Sequence, residues 1–174
     1  MKPNELIETE GTLPREALPT LDLYMDQVIQ LFEQHYGRMK RVEDESILTK
    51  TMINNYAKGK LFHPVKNKKY TNEHLMLLSL IYEMKGLLSI QDIKETLRPL
   101  NESDESFSLA DFYDAYQVQK QENMKAFEIQ AEALLENVRS NESSHVQRTL
   151  AVASAVHMSH LYQRLAEQLV DESK

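Results

Sequence analysis

Residues 47–97 read ILTKTMINNYAKGKLFHPVKNKKYTNEHLMLLSLIYEMKGLLSIQDIKETL, and the fold is decided in this stretch. Residues 50–70 hold six lysines (Lys50, Lys58, Lys60, Lys66, Lys68 and Lys69) and no acid. The whole chain carries −7, so the remainder sums to −13 once those six charges are removed. A lysine cluster in an acidic protein points to a polyanion, because lysines that meet phosphates release condensed counterions and gain affinity. The bland alternative is a solvated face, which is what most lysine runs are.

The order of elements is specific. Residues 51–58 form a short helix with Met52, Ile53 and Tyr56 on one face. Gly59 is the expected stop, since glycine takes the left-handed C-terminal position without strain. Leu61, Phe62, His63 and Pro64 then run extended, as residues before a proline prefer. Residues 65–69 read as a short basic hairpin. Thr71 caps a helix that buries Leu75, Leu78, Ile81 and Tyr82. Ser89 caps another, with Asp92 as the acid of a capping box and Ile90, Ile93 and Leu97 as the apolar stripe.

Helix, basic wing, helix and short capped helix is the plan of a winged helix-turn-helix. The sequence resembles the N-terminal domain of the MerR family, the mercury-resistance-type regulators. The resemblance rests on Met52-Ile53-Asn54-Asn55-Tyr56, Leu61-Phe62-x-Pro64, Lys69-Tyr70-Thr71 and Ser89-Ile90-x-x-Ile93. More closely, residues 23–28 (LYMDQV) together with residues 48–56 (LTKTMINNY) resemble a small, uncharacterised bacterial family with a MerR-like fold. The resemblance implies DNA binding. On that reading Lys50, Thr51, Asn54, Asn55 and Lys58 face the groove, Lys66, Lys68 and Lys69 form a wing on phosphates, and Lys60 belongs to the same DNA-binding set. Either asparagine can pair bidentately with adenine. Tyr56 and Tyr70 complete the set: Tyr56 packs under the wing, and Tyr70 matches a position that leans on the DNA backbone, with the core as its alternative. Where Asn54 stands, MerR proteins usually carry an arginine.

The rest of the chain reads as mainly α, with a C-terminal helical region. Residues 1–20 form an N-terminal tail, acidic and loose over 1–11, 21–98 the winged helix-turn-helix domain, 99–108 a linker opened by Pro99, and 109–174 a helical dimerisation or sensing region. Thr20 or Asp22 caps a first helix carrying Leu21, Tyr24, Met25, Val28, Leu31, Phe32 and Tyr36, which Gly37 ends. A long helix carries Leu109, Phe112, Tyr113, Tyr116, Phe127, Ala131, Leu134, Leu135 and Val138, with a polar waist over residues 117–123. A break at Asn141, Ser143 and Ser144 precedes a last helix with Val146, Leu150, Ala153, Val156, Leu161, Leu165 and Leu169. The small residues Ala151, Ala153, Ser154 and Ala155 let another helix approach it. A homodimer through these C-terminal helices is expected, because reading two half-sites needs two-fold symmetry.

The remaining chemistry is thin. The sequence holds no glycine-rich phosphate loop, nucleophile elbow or His-Glu-x-x-His, so the chain reads as non-catalytic and free of cofactor. A di-iron bundle needs two Glu-x-x-His pairs, and Glu142-x-x-His145 is one, so His145, His157 and His160 read as ordinary histidines rather than metal ligands. The set Phe107, Phe112, Tyr113 and Tyr116 is spaced as a core stripe, with a ligand pocket as the alternative. Without cysteine or a signal pattern, and with its longest apolar run broken by Ser79, the chain is expected to be cytoplasmic with no membrane span. Two functions follow: a transcriptional regulator that binds duplex DNA, or a non-catalytic protein interaction module that keeps the fold without specific DNA binding.

Overall fold

The computed structural model describes residues 3–102, 108–138 and 144–173. It is mainly helical, as expected. The helices are α1 (Pro3–Thr9), α2 (Met25–Tyr36), α3 (Lys50–Lys58), α4 (Asn72–Met84), α5 (Ile90–Asn101), α6 (Leu109–Asn137) and α7 (Ser144–Glu172). Two short strands, β1 (Leu23–Tyr24) and β2 (Lys69–Tyr70), pair antiparallel, with Leu23 opposite Tyr70.

Helix α4 is the centre. Residues 74–81 are all buried, more than the one-sided stripe predicted, because α5, α6 and β2 pack around it. Its cap is the expected Thr71, and Ser89 caps α5 by accepting the Asp92 N–H at 3.1 Å. Ile93 and Leu97 fill the inner side of α5, while Ile90 stays 47% exposed.

Five expectations are corrected. The sheet does not lie within residues 61–70. It joins β2 to residues 23–24, which therefore stay extended, and α2 begins only at Met25. Tyr24 N–H caps that start by donating to Gln27 Oε1 at 2.8 Å, and Leu21 is outside the helix and exposed. Gly59 is not left-handed (φ −69°), whereas Lys60 is (φ 57°). Lys60 N–H reaches Ala57 O and Leu61 N–H reaches Tyr56 O, which is the Schellman pattern with lysine in the usual glycine place. What glycine offers at 59 is space: a Cβ there would lie 2.7 Å from Leu61 Cδ1, so the tip of that side chain would have to shift. Pro99 does not stop α5, which runs on to Asn101. Proline has no N–H to give the Glu95 carbonyl, so one helical bond is forgone there. Asn101 then ties the end down by donating to Leu61 O at 2.9 Å and Leu97 O at 3.1 Å. Lastly, residues 3–9 are not a loose tail but a helix packed on α6.

The expected helix from Leu109 is α6, and its polar waist is where the N-terminal arm attaches. Lys120 is 9% exposed. Its ammonium donates to Glu83 Oε1 at 2.8 Å and to Gly11 O at 3.1 Å. The other oxygen of Glu83 accepts from Tyr116 OH at 2.5 Å. Tyr113 OH donates to Leu13 O at 2.6 Å and stands 3.0 Å from Ser79 Oγ, which is itself 2.6 Å from Tyr36 OH. Burial raises the tyrosine hydroxyls above their ordinary range, with Tyr113 pushed up to about 12 and Tyr36 and Tyr116 further. All three are therefore neutral donors. Gly11 must be glycine, because a Cβ would fall 2.5 Å from Tyr36 Cδ1 and 2.9 Å from Tyr36 Cα. Phe112 and Tyr116 stack against the core rather than around a pocket, with ring centroids 6.3 Å apart. Phe107 and the break at 141–143 lie outside the described residues.

Removing one partner of the Glu83–Lys120 pair strands a buried charge. Glu83→Ala and Lys120→Ala should each lower unfolding free energy by about 3–5 kcal/mol. The Glu83→Gln, Lys120→Met double variant should lose clearly less than the sum of the single losses, read from urea unfolding.

Candidate nucleic-acid interface

The two halves of the basic stretch are held on rigid elements. On α3, Ile53 and Tyr56 are buried and Met52 is half-buried, as the spacing predicted. This turns Lys50, Thr51, Asn54, Asn55 and Lys58 to solvent on the opposite side. Thr49 caps the helix, its hydroxyl accepting the Met52 N–H at 3.2 Å.

After α3 the chain turns and bends through residues 59–62, where an extended run from Leu61 was expected, and then reverses over residues 66–69. Asn67 (φ 52°) and Lys68 (φ 59°) are both left-handed, and Lys69 N–H donates to Lys66 O at 2.9 Å. Two consecutive positive φ values make this a type I′ turn, the tight turn whose twist suits a hairpin. Asparagine tolerates its position, but the second is where glycine is preferred. Lysine stands there instead, as it does at residue 60. A non-glycine residue in this region costs on the order of 1 kcal/mol. Two lysines are thus carried at positions that favour glycine on conformational grounds.

Both border one open cleft. A space of about 990 Å³ lies between α3, the segment after it, the turn and the start of α2. Asn54, Lys60 and Lys68 line it, over a floor that includes Phe62, Val65 and Met25. Asp26 also borders it and is paired with Lys50 at 2.7 Å. Lys69 Nζ sits 5.6 Å from the centre of the Tyr24 ring. Among the described residues, Lys58, Lys60, Lys66 and Lys68 are paired with no acid. Tyr56 and Tyr70 are each only 5% exposed, and burial raises both hydroxyls. They support the face from beneath.

The base of the turn rests on a histidine pair. Thr71 N–H donates to His74 Nδ1 at 3.1 Å, so the hydrogen of the neutral ring is on Nε2, which donates to His63 O at 3.0 Å. The two imidazole centres are 4.0 Å apart, and Glu73 lies 3.7 Å from His63. The spacing of 11 residues between these histidines carries no signal of the bond, and Tyr24, Asp26 and Asn101 likewise join this region through proximity in space alone. His145, His157 and His160 are exposed on α7, and Glu142 is outside the described residues. Among the described residues no group of three metal-ligating side chains occurs, and no helix is long and apolar enough to cross a membrane.

Fold and face together define a small, mainly helical domain that displays a basic helix beside a basic hairpin turn. The chain belongs to the family described as Domain of unknown function (DUF1836), whose pattern matches residues 13–116. That span takes in both Leu13 and Tyr113, the two residues joined across the arm and α6. Neither the curated proteins nor the solved structures contain a match to the chain.

Two outcomes are expected from this geometry. Lys68→Gly should keep or raise stability by up to about 1 kcal/mol, whereas Lys68→Val, branched at Cβ, should lower it. Urea midpoints would show the order. The second concerns pH. Burial, then the neighbouring His63, hold His74 below its ordinary pKa of 6.5, against the pull of the His63 carbonyl, Glu73 and Asp22. The unfolded chain therefore binds the proton first. The stability due to neutral His74 is present above pH 6.5 and is lost as pH falls from there through the depressed folded value. Unfolding measured at stepped pH should show this loss, and His74→Gln should remove that part of it.

Proposed function

We propose that the chain is a DNA-binding regulator of MerR-like winged helix-turn-helix type, with α3 entering the major groove and the turn at 66–69 acting as the wing on phosphates. The observation that supports this most is the cleft shared by Asn54, Lys60 and Lys68, with both lysines at positive φ. A lysine kept where glycine is less strained argues that its charge is used. Lys50, Thr51, Asn55 and Lys58 extend the same helix face, and Lys66 and Lys69 flank the turn. Asn54 and Asn55 supply base reading, and the lysines supply sequence-independent affinity.

The second reading is a non-catalytic interaction module whose lysines meet an acidic protein surface. The −13 carried outside the lysine stretch favours it, because that charge repels a polyanion at long range.

One binding assay separates the two. With fluorescent duplexes of random sequence at low salt, the unmodified chain should bind, and affinity should fall as salt rises. Lys68→Glu with Lys69→Glu should weaken all sequences alike and flatten the log–log salt slope by about 0.9 per lost contact. Asn54→Ala or Asn55→Ala should instead narrow the gap between selected and random duplexes, by about 1–3 kcal/mol for each bidentate pair lost. Absence of any duplex binding at low salt would overturn the regulator reading and leave the interaction module.

A further inference from the structure

The open cleft beside α3 has a lining that charge alone does not explain. Its volume of about 990 Å³ is of the size that holds a small molecule, and most of its lining is apolar. Phe62 is buried beneath it, Met25 and Val65 are half-buried, and Pro64 is exposed. The exposed Tyr24 and the half-buried His63 bring two more rings to the same space. Lys60 borders it from the segment after α3 and Lys68 from the turn, and neither has an acid partner among the described residues. Asp26 is the acid in the lining, and Lys50 answers it at 2.7 Å. The phosphates of a duplex would answer the two lysines and leave the apolar floor uncovered.

We propose that this cleft binds a small aromatic carboxylate, its acid group held by Lys60 and Lys68 and its ring set on the apolar floor. Each part of the lining selects a part of this ligand. Two unpaired ammonium groups select an anion. The floor selects an apolar body, because buried apolar area contributes in proportion to its extent, and neither inorganic phosphate nor acetate brings enough of it. The rings of Tyr24, Phe62 and His63 favour a flat aromatic body, since rings pack on one another in preferred geometries. A rigid body also loses less freedom on binding than a flexible chain. The positive φ at Lys60 and Lys68 fits the same reading, as backbone cost of this kind gathers at ligand clamps. The site stands without DNA. Where the DNA reading holds, the ligand takes lysines that would meet phosphates and so lowers duplex affinity, and this one consequence rests on that reading.

Indole-3-acetate serves as the probe, because the chain has no tryptophan and the indole emission stands clear of the protein. In equilibrium dialysis the full chain should retain it saturably at roughly millimolar concentration or below. Lys60→Ala with Lys68→Ala should weaken retention about tenfold. Helical circular dichroism should stay unchanged in that variant, because both side chains are exposed. Lys66→Ala should keep retention within about twofold, since Lys66 does not border the cleft and an exposed charge at a distance is screened. Acetate or inorganic phosphate at the probe's concentration should displace little of it. Saturating probe should weaken the binding of a fluorescent duplex severalfold. No saturable retention, retention unchanged in the double lysine variant, an equal loss in Lys66→Ala, equal displacement by acetate, or a bound duplex that saturating probe does not weaken would each overturn the proposal. Retained probe without duplex binding at low salt would support it while the DNA reading fails, and duplex binding without retained probe would do the reverse.

Discussion

A carboxylate taken out of water must be answered by a cation and by donors for its other lone pairs. Glu83 meets that demand with Lys120 and Tyr116, and in doing so joins three distant parts of the chain. Lys120 belongs to α6, Glu83 to the central α4, and the carbonyl that shares the ammonium belongs to Gly11 in the arm. The neighbouring Tyr36–Ser79–Tyr113 contacts add α2 and Leu13. Apolar packing would hold these elements together in several arrangements. Directional bonds among buried groups select one.

That selection bears on the basic face at one remove. Helix α2 leads into β1 at its start, and β1 is the strand that pairs with the outer arm of the turn. With α2 anchored by Tyr36 and α4 by Glu83, both supports of the turn are fixed in the core. The turn itself is short, and a two-stranded ribbon has little stability of its own. Its position comes from β1, from Tyr70 buried beneath it and from the His74–His63 bond at its base.

The basic face is lysine on rigid backbone, with conformational cost accepted at residues 60 and 68.

Much of the fold could be read along the chain because its signals are local. Thr71 and Ser89 cap the helices they were expected to cap, since a cap bonds within three residues. The inner faces of α3 and α5 follow from spacing, and the hairpin from Lys66-Asn67-Lys68-Lys69 between extended segments. The lysine cluster was equally plain. What the sequence could not disclose were contacts between residues far apart in it. The strand at residues 23–24 looked helical, because its hydrogen-bond partners lie at 69–70. Gly59 looked like the left-handed residue, because its actual constraint is the side chain of Leu61 folded back over it. Lys120 reads only as part of a polar waist, because Glu83 and Gly11, its partners, are 37 and 109 positions away. Local backbone preference and periodicity determined the helices and the turn. Only the tertiary structure decided which polar groups left water together, because desolvation depends on everything packed around a group and not on its neighbours in sequence.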